Sequence, residues 1–348
     1  MDRRRGRADA AGIVVLGCCA GWSLITATAR AGRPEGMLLA MLAVAAGYAC
    51  GRIGGALVPV TASAAAGLGG LLLAIASPPA GPAPDNLDTL GRTGATAALL
   101  AVSAGALCCA AWSARRRALR VALHVAAAGT VVVAAVIDSA TGATMCAGVV
   151  LCSLAAARMR LRALGLAGLG LATAATVATG LALAEGVLPA GLTASLEGRL
   201  TPHRVLLWRD ALRLAESDPL LGVGPGRYEE FGTVTTLTTQ RALPDSRPHS
   251  AALQMAAEQG VVGMLLLAAA YCWLLYVLWR SARSTPVVLA AGAALTAVAA
   301  LASVGNALSF TTVTAGAGLL AGLATAEPLT AQPPHEKAAP AHARGGLE

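Results

Sequence analysis

The sequence predicts an all-α, polytopic membrane protein with about ten transmembrane helices and one large extracytoplasmic loop late in the chain. Three observations predict it. The 348 residues are 56% hydrophobic and only 13% charged, where a soluble domain carries about a quarter charged residues. Apolar runs of roughly 18 residues or more recur along the whole length, each long enough to cross a hydrocarbon core as a helix. Polar residues collect in short connections and in one long one, about 186–250. Residues 1–326 therefore read as a single integral membrane domain whose outer loop contains short helices, and the Pro/Ala-rich end, 327–348, as a disordered cytoplasmic tail.

The runs are 11–29, 36–51, 53–77, 93–113, 121–137, 143–157, 163–185, 258–279, 286–304 and 307–326. The first follows MDRRRGRADA and resembles a signal peptide. It is long, no cleavage site follows, and further runs come after it, so it reads as the first transmembrane helix. Basic residues in the short connections set the orientation. Arg3, Arg4, Arg5, Arg7, Arg52, Arg115, Arg116, Arg117, Arg120, Arg158, Arg160, Arg162, Arg280 and Arg283 fall on one side. The other side holds only Arg30, Arg33 and Arg92. Both termini are therefore expected in the cytoplasm, and the long loop outside the cytoplasmic (inner) membrane.

This arrangement accounts for the net charge of +8 and gives no reason to expect nucleic acid. No ionisable carboxylate or cation falls in the middle of a run; Asp138 and Glu185 sit at outer ends and His124 near an inner one. Ion-coupled transporters generally need such residues. The cysteines make no CxxC pair and no metal-ligand spacing, so they read as small core residues, and no metal or other cofactor is expected.

Within the long loop, SDPLLGVGPGRYEEFG (217–232) carries Gly222, Gly224 and Gly226. The spacing is GxGxG, not GxGxxG; it contains Pro225, follows a helix and faces outward, so it is not a dinucleotide loop. Such glycines either let backbone approach an anionic group closely or make a tight turn. Before them, TPHRVLLWRDALRLAES places Thr201 as an N-cap and Pro202 at the first position of a helix over about 202–216. Arg204 shares a face with Trp208, Ala211 and Ala215, while Arg209, Arg213 and Glu216 form a solvated face. A cation in the first turn opposes the helix dipole, so Arg204 needs an anionic partner, either a protein carboxylate or a phosphate-bearing substrate. After the glycines, Pro248 starts a helix that puts His249 in its first turn. The positive helix end there disfavours imidazolium and leaves the ring able to accept a proton. Ser250, Gln254 and Glu258 make one polar stripe; from spacing alone, His249 and this stripe read first as interfacial residues that solvate a helix end.

These pieces in order resemble the O-antigen ligase and Wzy-type polysaccharide polymerase superfamily: HRVLLWRDAL with Arg204 and Trp208, DPLLGVGPGRY from Asp218 to Tyr228, PHS from Pro248 to Ser250, and LQMAAEQGVVG from Leu253 to Gly263. The resemblance implies a metal-independent membrane glycosyltransferase, a ligase or polymerase at the outer face of the cytoplasmic membrane. The donor it implies is a glycan on an undecaprenyl-diphosphate carrier. The acceptor is a hydroxyl of a glycan, lipid, protein or wall polymer. It assigns diphosphate contact to Arg204 and the role of general base to His249. Arg227 and Arg247 are further phosphate candidates by charge and proximity, with loop solubility as the plainer alternative. Gly222, Gly224 and Gly226 are candidates for backbone contact with substrate. The family usually has Ser-Arg-Gly after an earlier span, where this chain reads DSATGA (138–143), and usually has Asn after the histidine, where this chain has Ser250. A transporter or flippase of a lipid-linked precursor, and an inactive scaffold of the same fold, are the alternatives.

Overall fold

The apolar runs fold into helices, but the run at 53–77 is split at Pro59, its first residues completing the helix of the run before it. The computed structural model describes residues 2–76, 86–137, 139–159, 161–187, 202–232, 248–327 and 329; Arg247, Asp138, Thr201 and nearly all of the tail lie outside them. Helices α1 (Asp2–Arg30), α2 (Glu35–Leu57), α3 (Pro59–Ala76), α4 (Asn86–Ser113), α5 (Arg117–Val136), α6 (Ala140–Ala156) and α7 (Arg162–Glu185) precede the loop. The loop contains α8 (Pro202–Ser217) and the single turn α9 (Tyr228–Phe231). Then come α10 (Ala251–Arg280), α11 (Thr285–Val304) and α12 (Thr311–Thr325).

Among the described residues, 8 helices are long and apolar enough to cross a membrane, and every regular element is helical. The chain is a polytopic helical membrane protein. The two remaining apolar helices are shorter, α6 with 17 residues and α12 with 15. The run at 307–326 yields this short helix because Gly305 is fully extended (φ −153, ψ −179) and Ala307–Ser309 turns as a 3-10 helix. Pro59 separates α2 from α3: proline pushes the residue before it out of the helical region, and Val58 sits at φ −140, ψ 71.

α4 and α11 form the buried centre, and the outer helices turn Ile13, Leu42, Leu72, Val125, Leu151 and Leu171 outward. That distribution suits a lipid surround, which is as apolar as leucine. α2 and α12 meet along a glycine seam. A Cβ on Gly47 or Gly51 would run into the carbonyls of Ala315 and Leu319, and one on Gly318 or Gly322 into those of Val44 and Tyr48. Small residues spaced by four let two helix backbones touch in this way.

The basic connections gather at one end of the bundle. Arg52 pairs with Asp9 at 3.4 Å and donates to the Thr325 carbonyl, while Arg162 donates to Ser281 O (2.7 Å) and Arg283 to Leu323 O (3.5 Å). Guanidinium groups thus cap carbonyls freed at helix C-termini. The start of α1 and the ends of α2, α10 and α12 share this face; α8 and the glycine loop lie at the other.

Candidate functional site

α8 builds the floor of the site. Val205, Trp208, Ala211 and Leu214 face inward and pack with Leu183, Tyr228, Leu253 and Ala257 into one apolar cluster, while Arg209, Arg213 and Glu216 are exposed. Arg204 lies on the inward side, half-buried, one turn before Trp208. Its guanidinium donates to the Val304 carbonyl at 3.1 Å, and among the described residues no carboxylate pairs with it. Its anchor is the negative C-terminal end of α11. Burial pulls its pKa below the ordinary arginine value.

Trp208 ties α8 to the histidine. Its indole N–H donates to the Pro248 carbonyl at 2.6 Å, which ties the residue before His249 to α8 one turn beyond Arg204. His249 is not in the first helical turn. α10 begins at Ala251, and Ser250 is its N-cap, with Oγ accepting from Leu253 N–H. A serine hydroxyl satisfies a first-turn donor, which proline at the start cannot do, so the cap lies two residues later than Pro248 suggests. His249 precedes the cap at φ 46 and is 5% exposed. Only His249 and Ala31, among the described non-glycine residues, have positive φ. Such conformations raise the energy by on the order of 1–3 kcal/mol and cluster at functional sites.

The glycines answer to a break in α10. At Gly260 (φ 68, ψ −168) the helix interrupts itself, which frees backbone groups on both sides. Val223 N–H donates to Ala257 O and Gly224 N–H to Glu258 O, both at 2.9 Å, while Val261 N–H donates to Pro219 O at 2.8 Å. Residues 219–226 therefore lie as a strap along the broken turn. Gly222 has φ 64, and a Cβ there would stand 2.5 Å from Ala257 O. Gly226 N–H donates to the Glu258 carboxylate at 3.0 Å, and Gly222 N–H to Asp218 O. The close approach that these glycines permit is to protein backbone, and all three of their N–H groups are committed to protein acceptors. Arg227 is likewise engaged: it pairs with Glu230 at 2.8 Å, donates to Arg30 O and stacks on Phe231 at 4.6 Å.

Two buried carboxylates were not singled out as site residues by the sequence. Glu258, 7% exposed, accepts from Gln254 and Gly226, and Asp210, 5% exposed, pairs with Arg213 at 2.8 Å. Between them Tyr228 donates to Leu207 O at 2.9 Å; burial first, then the charge of Asp210, pushes its pKa up. The stripe Ser250, Gln254, Glu258 carried a signal for Glu258. Asp210 sits three residues before the exposed Arg213, a spacing that marks a surface pair as readily as a buried one.

A family model for O-Antigen ligase (Wzy_C) matches residues 86–268, more than half of the chain. The chain belongs to the O-antigen ligase family. The O-antigen ligase match runs from the start of α4 into α10, so it takes in Arg204, the strap, His249 and the break at Gly260. No curated protein matches the chain. In the DSATGA stretch, Ser139 caps α6, its hydroxyl accepting from Gly142 N–H at 3.1 Å.

Proposed function

We propose that the protein is a metal-independent glycan ligase or polymerase at the outer face of the cytoplasmic membrane, taking its donor from undecaprenyl diphosphate. The observation that supports this reading is the Trp208–Pro248 hydrogen bond, which ties the residue before His249 to a side chain one turn along α8 from Arg204, inside the family-matched stretch. The acceptor hydroxyl attacks the anomeric carbon of the donor sugar, and the bond from that carbon to the carrier's phosphate oxygen breaks. His249 takes the hydroxyl proton as the new bond forms. Arg204 stabilises the charge gathering on the departing diphosphate, and its half-buried position strengthens that interaction. Arg247, next to Pro248 in sequence, is a second phosphate partner; Arg227 holds the loop.

The positive-inside pattern of the arginine-rich connections supports cytoplasmic termini and an α8 outside. The buried polar groups of the spans favour this reading over a transporter. Several are hydroxyls bonded within the bundle, such as those of Thr173 and Thr296, which share Tyr271 at 2.8 and 2.9 Å.

The test replaces His249 with Asn, which tolerates the left-handed backbone that Ala does not. Transfer from an undecaprenyl-diphosphate-linked glycan by the full-length protein in membranes should fall by about 10²-fold or more with expression unchanged. Transfer at the wild-type rate in His249→Asn rejects the catalytic role.

A further inference from the structure

The family match begins at residue 86, yet the strap and the broken turn beside it are gripped by residues 22–33. Three carbonyls precede the break in α10. Strap amides take those of Ala257 and Glu258; the third, Gln259 O, accepts from the indole N–H of Trp22 at 3.1 Å. Beside it, Arg30 forms an ion pair with Asp218 at the head of the strap. Arg33 N–H donates to Pro225 O at 2.7 Å, and Arg227 returns a bond to Arg30 O. The surfaces fit closely: a Cβ on Gly32 would stand 2.7 Å from Pro225 Cδ, and one on Gly224 2.8 Å from Arg30 Cβ. Ala31, in this same turn, shares positive φ (52) with His249 alone among the described non-glycine residues. The two strained positions therefore bracket one assembly.

We infer that Trp22 and Arg30 are positioning residues for His249, acting through the glycine strap and the broken turn of α10. The inference rests on the proposed role of His249. Its mechanics are those of a lever. Residues 251–259 form a rigid helical segment with His249 at its tip and the break at its base. At 1.5 Å per residue the segment is about 14 Å long, so a tilt of about 5° at the base moves the tip by about 1 Å. A misplacement of that size lowers a rate by up to about 10²-fold. Trp208 restrains the tip, so a single loosened contact at the base falls short of that limit.

The experiment uses the full-length protein in lipid nanodiscs with an undecaprenyl-diphosphate-linked glycan as donor, and compares wild type, Trp22→Phe, Arg30→Asp, Asp218→Arg, the Arg30→Asp/Asp218→Arg double variant and His249→Asn. Trp22→Phe keeps the ring and removes only the donor. We expect kcat per folded molecule to drop about 10-fold in each of the three single variants at positions 22, 30 and 218, with donor KM within about twofold. The double variant restores the ion pair in reverse and should exceed Asp218→Arg by about threefold or more. Hydrogen exchange at the amides of Val223, Gly224 and Val261 should accelerate in Trp22→Phe. Unchanged kcat in the single variants, or a loss explained wholly by less folded protein, overturns the inference; so does a double variant no better than Asp218→Arg. Full transfer in His249→Asn, or none in wild type, instead rejects the proposed function. The grip on the strap is then judged by exchange alone, and wild-type exchange in Trp22→Phe overturns it.

Discussion

Replacing Gly222 with Ala attacks the strap at its tightest point. The residue sits at φ +64, and its Cβ would stand 2.5 Å from Ala257 O, 2.6 Å from Glu258 C and 2.7 Å from Gln259 N. All three are backbone atoms, so no side chain can rotate away. Two effects add. Left-handed backbone raises the energy of Ala by about 1–2 kcal/mol. The strap must also move outward, which stretches the Val223–Ala257 and Gly224–Glu258 bonds beyond their 2.9 Å and strands buried carbonyls, at about 1–2 kcal/mol each. The expected loss is about 3–6 kcal/mol, near the top of the range for a single substitution. Gly129→Ala is the control: it lies within α5, a Cβ there meets nothing within 4 Å, and Ala should be neutral or stabilising by up to about 1 kcal/mol. Reversible unfolding in mixed micelles titrated with SDS measures both. A Gly222→Ala protein within about 1 kcal/mol of wild type would refute the strap as a backbone splint.

Trp208→Phe removes the donor to Pro248 O while keeping the ring; we expect a loss of about 1–3 kcal/mol in the same titration and slower transfer, and unchanged values in both would sever the link between α8 and His249. Arg204→Lys tests the environment of the guanidinium. Burial disfavours the cation there, so the folded-state pKa of a lysine should fall below its usual value of about 10.4 and its charge should be lost as pH rises through that lowered value. Transfer by Arg204→Lys should therefore decline at alkaline pH more steeply than wild type, and parallel profiles would show that the charge at this position does not act on the diphosphate.

Much of this was legible locally. A run of apolar residues needs only its length to be read as a helix, although the boundary between the second and third runs lies at Pro59 and the last run opens with a 3-10 turn. The inward face of α8 followed from 100° steps, which put Trp208 and Ala211 with Arg204 and left Arg209, Arg213 and Glu216 outside. The break in α10 was not legible, because LQMAAEQGVVG reads as continuous helix and one internal glycine signals little. Gly260 acquires its meaning from Pro219 and Leu220, whose carbonyls crowd the space of a side chain. The placement of His249 turned on a contest between Pro248 as a first helical residue and Ser250 as a cap, which the serine wins by hydrogen bonding. The contact of Trp22 with Gln259 joins positions 237 apart, and spacing along a chain carries no register over that distance.

The glycine seam between α2 and α12 imposes an order on biogenesis. Arg52 at the end of α2 reaches the carbonyl of Thr325 at the end of α12, 273 positions later. At roughly 5–20 residues per second of synthesis, α2 waits about 14–55 s in the bilayer before its partner emerges. During that interval the backbone groove along Gly47, Gly51 and Gly55 stands open to any small-residue helix nearby. A nascent chain truncated before residue 311 would keep that groove open permanently, an exposed feature by which quality-control proteases could distinguish unfinished molecules from finished ones.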